Sequence, residues 1–376
     1  MEAVEKGADQ SDLFDLVVIG GGPAGTSAAI TAARRGARVL LLERGSLPRQ
    51  RVCGEFVSAE SLAILSGLLE PNASELLSEA LRISQARLFF DGHVVPAEIA
   101  PAAASIGRFD LDFALWRAAQ QARVDARVET TVESITGNGP FFLRTRDHEF
   151  RSRAVINATG RWSNLRGQSR RSEPASQEKW VGLKGHFSDP LPHSSVDLYF
   201  FEGGYCGVQS VKLVGGGEGR VNACAMVRSD VARCLRDVFA QHADLRMRAT
   251  QWKPLMDPVS TSPLFFGVPE PVDKDILMVG DAAGFVDPFI GDGISLALRS
   301  GRLAADCLAP FLNHETSLHE ATMRYRLSYR KRLLPVFENS SRLRRLLRLP
   351  GPIRRSVGHL LEATPALSRL LVRITR

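Results

Sequence analysis

No two cysteines in this sequence are spaced as CxxC or as a metal-ligand set, and the total of five (Cys53, Cys206, Cys224, Cys234 and Cys307) is odd. A disulfide scaffold and a structural metal are therefore not expected, and a reduced, cytoplasmic setting suits the thiols. Long hydrophobic runs are missing too. The longest, such as 16–19 and 39–42, are of strand length, which excludes a membrane-spanning helix. The polar, partly acidic start lacks the basic and apolar regions of a signal peptide. Neither a fixed-period repeat nor a low-complexity tract is visible, so a solenoid is not expected.

What is present is globular. With 44% hydrophobic and 24% charged residues, the chain can bury the core of one large domain or of two interleaved ones. Its net charge of +7 is concentrated at one end, because residues 341–376 hold nine Arg and one Glu. The rest of the chain is therefore close to neutral.

Hydrophobic periodicity predicts a strand over 15–19, a helix over 23–35 and a second strand over 37–42, a compact βαβ opening. A helix over 109–123 and strands over 124–135, 141–146 and 154–157 follow. Residues 86–99 and 181–227 read as short strands punctuated by Gly and Pro, with a hairpin turn at 215–219, and make a mostly antiparallel sheet. A strand over 275–279 precedes a helix over 293–308, and beyond Pro310 the pattern is helical. The polar segment 163–179 reads as a mobile loop.

Gly20-Gly21-Gly22-Pro23-Ala24-Gly25 places GxGxxG between the first strand and the first helix. Missing side chains there let backbone N–H groups and a helix N-terminus approach a pyrophosphate. Glu43 ends the second strand, 18 residues after Gly25, where a carboxylate can accept both ribose hydroxyls of an adenosine. Strand, glycines, helix, strand and acid in that order predict a bound dinucleotide.

Two later segments bear on which dinucleotide: Val279-Gly280-Asp281-Ala282-Ala283-Gly284, and Asp287-Pro288-Phe289-Ile290-Gly291-Asp292-Gly293. Together they resemble the geranylgeranyl reductases and the wider p-hydroxybenzoate hydroxylase clan of flavin monooxygenases. The resemblance implies a glutathione-reductase-like fold, with a three-layer βαβ nucleotide domain, an interleaved antiparallel substrate sheet and C-terminal helices. Expected boundaries are 13–85, 102–178 and 272–310 for an FAD domain, 86–101 and 179–271 for a substrate sheet, and 311–376 for a basic helical region.

The same resemblance implies a set of FAD contacts. Asp281, after Gly280, would bind the ribityl chain. Pro288, Gly291, Asp292, Gly293 and Ile294 would start a helix beside the flavin pyrimidine, where a positive dipole end suits anionic reduced flavin. Arg108, opening an Arg-x-x-x-Asp helix, would meet the pyrophosphate with charge-assisted hydrogen bonds. Arg44, Arg51, Val132, Thr159 and Gly160 complete the set, Thr159 standing where the family often has Asp. That difference leaves NADH, NADPH or a reduced electron carrier as the transient electron donor.

Arg51-Val52-Cys53-Gly54-Glu55 is similar to the Lys-x-Cys-Gly-Glu/Asp segment that geranylgeranyl reductases hold near the flavin ring. Cys53 and Glu55 are accordingly the candidate catalytic pair, each with a movable proton for a substrate carbon. The run from Tyr199 to Gly207 resembles the family's Tyr-x-Trp-x-Phe-Pro pocket segment and makes Tyr199, Phe201 and Tyr205 the expected substrate contacts. Gly207, Gln209 and Ser210 replace its Trp, Phe and Pro, which implies a different, shorter or ring-shaped apolar substrate.

These features predict a reductase that transfers hydride from reduced FAD to a C=C bond of an apolar, isoprenoid or polyketide-like metabolite. A monooxygenase working through a flavin C4a-hydroperoxide on an aromatic or polyketide substrate is the alternative. A non-catalytic lipid binder on the same fold is a third reading, opposed by intact Gly20, Glu43 and Asp281. A disulfide reductase is disfavoured, since no redox CxxxxC and no second GxGxxG are present. The leucines and arginines of 343–374 recur at helical spacing and predict peripheral attachment to anionic lipid. Nucleic acid is not an expected partner without interleaved exposed aromatics.

Overall fold

The computed structural model describes residues 13–70, 74–90, 92–161, 165, 179–190, 192–211 and 219–347. The 163–179 loop falls almost wholly outside these residues. Most of the 215–219 turn and the tail beyond residue 347 lie outside them as well.

The strand Leu13–Ile19 sits at the centre of an eight-stranded sheet. Val39–Leu42 and Glu149–Asn157 flank it in parallel, with Asp125–Arg127 outside the first and Ile276–Met278 outside the second. All four residues of Val39–Leu42 are buried, so this strand reads as a continuous apolar run, as parallel strands covered on both faces do. Strands Val132–Gly137 and Phe141–Thr145 extend it as an antiparallel meander. The single strand expected over 124–135 is in fact two, broken where Glu129 takes a φ of 53°.

Helices Pro23–Ala33, Arg108–Gln121 and Gly293–Leu312 pack on this sheet and on one another. The first and last cross at Gly301, where an added Cβ would lie 2.1 Å from the carbonyl oxygen of Ala24. The last helix runs past Pro310, which the sequence suggested would end it. Arg153 explains the extension: its guanidinium donates to the carbonyls of Phe311 and Leu312, both at 3.0 Å, satisfying acceptors that a helix end leaves open. Helices Leu318–Arg332, opened by a Ser317/Glu320 capping box, and Leu334–Leu347 follow.

The second sheet has nine strands and is antiparallel except where Ser195–Phe201 runs parallel to Leu81–Phe90. Its middle is Trp180–Ser188, Arg220–Arg228, Gly204–Ser210 and Ser195–Phe201, in that spatial order. Alternation along these strands separates two faces. The outer face packs Leu183, Phe187, Tyr199, Cys206, Val208, Ala223 and Ala225 under helices Leu235–Ala240 and Ala243–Ala249. There the fully buried Asp197 accepts from Arg87, Arg248 and Ser195. The inner face meets the nucleotide domain, and the candidate site lies between the two. Among the described residues no helix is long and apolar enough to cross a membrane.

Candidate active site

The turn after the first strand is shaped by backbone need. Gly20 has a φ of 111°, and a Cβ on it would sit 2.3 Å from the carbonyl oxygen of Ala158. Gly22 is the N-cap of the first helix with Pro23 following, and no side chain caps that N-terminus. A Cβ at Gly22 would meet nothing within 4 Å, so the end of the helix faces open space. Gly25 lies against the Gly20 carbonyl, and Ala24 packs under Gly280, where an added Cβ would come to 2.9 Å. Residues more than 250 positions apart, the first glycine turn and the Gly280-Asp281 turn, thus meet.

Glu43 is buried and already occupied. Its carboxylate accepts from the N–H groups of Gly21 at 2.8 Å and Gly45 at 3.0 Å and pairs with Arg49. Arg44 beside it is exposed. Arg51, Arg49 and Arg108 converge, and burial, followed by those two neighbouring cations, lowers the Arg51 guanidinium to about 10. Arg108 forks onto Asp112 at 2.8 and 2.7 Å. Val132 is buried at the start of its strand.

Thr159 donates from N and Oγ1 to Asn157 Oδ1 at 3.1 and 2.6 Å. Gly160, at a φ of 79°, again has open space where a Cβ would stand. Gly280 donates its N–H to Ser300 Oγ at 2.9 Å, and Asp281 faces Arg161 at 3.5 Å. Pro288–Ile290 forms a short turn capped by Asp287, which accepts from the N–H of Phe289. Gly291 then takes a φ of 69°, and Asp292, Gly293 and Ile294 start the long helix. A Cβ at Gly293 would also meet nothing within 4 Å.

These residues fit an FAD. Three glycines, Gly22, Gly160 and Gly293, present bare backbone to open space, two of them at helix N-termini without side-chain caps, and three crowded arginines offer charge to a diphosphate.

Between the nucleotide domain and the inner face lies the turn Cys53-Gly54-Glu55. Cys53 Sγ accepts the Glu55 N–H at 3.3 Å, and Asn222 Nδ2 donates to the Cys53 carbonyl at 3.0 Å. Burial pushes the Cys53 thiol up, against the opposing charge of Arg108, so it holds its proton at neutral pH. Glu55 is fully buried and accepts from three groups: the Arg108 N–H at 3.0 Å, Lys184 Nζ at 2.5 Å and His186 Nε2 at 2.9 Å. Burial alone would raise it. The His186 hydrogen bond and the Lys184 charge outweigh that and hold the carboxyl below the usual carboxylate range. The expectation that Glu55 carries a movable proton therefore needs correction. It is an ionised anchor that ties the Arg108 helix start to the second sheet.

The aromatic run also divides. Tyr205 faces inward, in a cluster with Phe90, Phe200, Met226 and Leu264 against Phe289, whose ring is 5.8 Å from Tyr205 and 5.1 Å from Phe200. Tyr199 and Phe201, expected in the pocket, belong to the outer face, where Tyr199 stacks on Phe89 at 4.4 Å. Alternation puts Phe200 in their place. Lys184, His186, Arg161, Asn222 and Phe289 were not anticipated. Only the alternation of Lys184 and His186 within an otherwise apolar strand signalled a polar contact on one side.

Comparison with known proteins gives a match to the family model "FAD dependent oxidoreductase" over residues 15–69. Digeranylgeranylglycerophospholipid reductase 2 of Methanopyrus kandleri is 28% identical, over 83% of this chain and 81% of its own. Menaquinone reductase of Mycobacterium tuberculosis is 28% identical, over 79% of this chain and 77% of its own. Among solved structures, a geranylgeranyl bacteriochlorophyll reductase-like protein from Thermoplasma acidophilum superposes with a TM-score of 0.68 at 20% identity, over 97% of this chain and 92% of its own. The myxobacterial chondrochloren halogenase shares the fold, with a TM-score of 0.71 at 20% identity over 88% and 83%. Glycine turns, converging arginines and these relatives agree: the chain is an FAD-dependent oxidoreductase related to the geranylgeranyl reductases and to menaquinone reductase.

Proposed function

We propose that the enzyme reduces a C=C bond of an apolar, isoprenoid or polyketide-like metabolite, with NADH, NADPH or a reduced electron carrier restoring the flavin. The observation that carries this reading is the placement of Cys53: a half-buried thiol beside Arg108, on a turn fixed by Glu55 and Asn222 between the cofactor motifs and the inner-face aromatic cluster. Reduced FAD, when bound, supplies the hydride for one alkene carbon. The thiol of Cys53 gives its proton to the other carbon, and the thiolate left behind lies by the Arg108 guanidinium until solvent reprotonates it.

The remaining residues hold and exclude. Gly22 and Gly293 with their helix N-termini, Asp281 and the three arginines would bind the cofactor. Phe200, Tyr205, Met226, Leu264 and Phe289 offer an apolar wall that keeps water from the reacting carbons. The reading draws further support from two relatives that are reductases by name, of digeranylgeranylglycerophospholipid and of menaquinone.

The test is product mass after incubation of the holoenzyme with NADH or NADPH, under labelled oxygen, with geranylgeraniol, a menaquinone or a hydroxynaphthoquinone. Gain of two hydrogens at a C=C bond, counted after any quinol has been reoxidised to its quinone, is expected. Labelled oxygen in the product would replace this reading with a monooxygenase.

A further inference from the structure

Strand register orders the inner face of the second sheet into rungs. Gly182, Met226, Tyr205 and Phe200 stand side by side in the first, Lys184, Cys224, Gly207 and Leu198 in the second, and His186, Asn222, Gln209 and Val196 in the third. The first rung is the aromatic end of the inner face, against Phe289. The third is lined by amides and an imidazole. At roughly 3.3 Å per residue, the four positions between Met226 and Asn222 separate the two ends by about 13 Å.

At the polar end almost every group is matched within the protein. His186 Nε2 and Lys184 Nζ are both engaged by Glu55, and Gln209 Nε2 donates to Ser105 Oγ at 2.8 Å. Asn222 Nδ2 donates to the Cys53 carbonyl. Asn222 Oδ1 is the exception: the side chain is 1% exposed, yet this oxygen accepts from no protein donor among the described residues. A buried acceptor without a donor is costly, and its amide is oriented by the bond to the very turn that carries Cys53.

We infer that Asn222 is a specificity-determining residue whose Oδ1 accepts a hydrogen bond from a hydroxyl group of the substrate. The substrate class is then an amphiphile with an alcohol or phenol at one end and an apolar body reaching the Phe200–Phe289 wall. A diphosphate or carboxylate head does not suit this end, because Lys184 and His186 are both already engaged by the Glu55 carboxylate. The inference rests on the reading of this inner face as the substrate site.

The test uses holoenzyme and the perturbation of its bound-flavin spectrum by geranylgeraniol, by the methyl ether of geranylgeraniol and by geranylgeranyl diphosphate. The alcohol is expected to bind about tenfold more tightly than the ether, which cannot donate, and more tightly than the diphosphate. Asn222→Ala should bring alcohol and ether to equal affinity. Equal affinities in the wild-type protein, or no binding of the alcohol, overturn the inference. So does an Asn222→Ala protein that loses affinity for FAD but keeps the alcohol-to-ether ratio, since the acceptor would then serve the cofactor. Failure to bind FAD at all would instead defeat the proposed function, before any of these ratios is measured.

Discussion

Glu55 combines two costs that a residue rarely carries together: a left-handed backbone with a φ of 61° and a fully buried carboxylate. Three donors from two domains compensate both, so removing the charge leaves Lys184 buried without its partner. Glu55→Gln is expected to destabilise the fold by about 3–5 kcal/mol at neutral pH, read by urea unfolding, and adding Lys184→Met should recover part of the loss. The pH dependence follows from the depressed carboxyl. Its contribution is complete above the unfolded value of 4.5 and is lost as pH falls through the lower folded value, so the gap between wild type and Glu55→Gln should close in acid. Cys53 goes the other way. Its raised thiol stays protonated through the neutral range, and peptide mapping should find iodoacetamide alkylating the exposed Cys234 first, Cys53 reacting only as pH climbs above the usual thiol range. Rapid alkylation of Cys53 at neutral pH would remove it as the proposed proton donor.

At the scale of elements, the first helix shows what a sequence can disclose. Gly20 and Gly25 answer to backbone geometry within six residues, and their demand is visible in the order strand, glycines, helix. The helix start at Gly293 was legible for the same local reason. Lys184 and His186 were not, because they meet Glu55 across 129 and 131 residues and nothing in a lone strand says which face turns inward. Tyr199-Phe200-Phe201 misled for a related reason: an aromatic run supplies both faces, and only pairing with Gly204–Ser210 assigns Phe200 to the inner face. The open space at Gly22 yields a prediction at this scale. Gly22→Ala adds a methyl at a φ of −78°, which alanine accepts, and meets no protein atom within 4 Å. Apoprotein melting should therefore be unchanged, while flavin fluorescence titration should show FAD affinity reduced by about tenfold or more, since backbone approach to a phosphate is what glycine permits there. Equal FAD affinity would mean the cofactor diphosphate lies elsewhere.

Across the whole molecule, charge and apolar surface are unevenly spread in a way that bears on where a water-insoluble substrate is collected. The inner-face aromatic cluster includes the partly buried Phe266, whose ring is 5.4 Å from Phe285, and the neighbouring Phe265 and Val268 are exposed, Val268 at 77%. Isolated exposed apolar residues are ordinary, but here they adjoin an apolar cluster in a chain whose positive charge gathers at one end. Residues 348–376 hold six Arg and one Glu. Each basic residue near an anionic bilayer contributes about 1 kcal/mol, an attraction that falls off within roughly 10 Å at 0.1 M salt. The full chain is expected to sediment with phosphatidylserine vesicles at low salt and to be released as salt is raised, with little binding to phosphatidylcholine alone. A chain ending at Leu347 keeps Val336 and Phe337, which are buried in the core, and should lose most of that binding while retaining its melting temperature and FAD. Equal sedimentation of the two chains would assign any membrane contact to the Phe265–Val268 surface instead, and replacing Val268 with Asp would then abolish it.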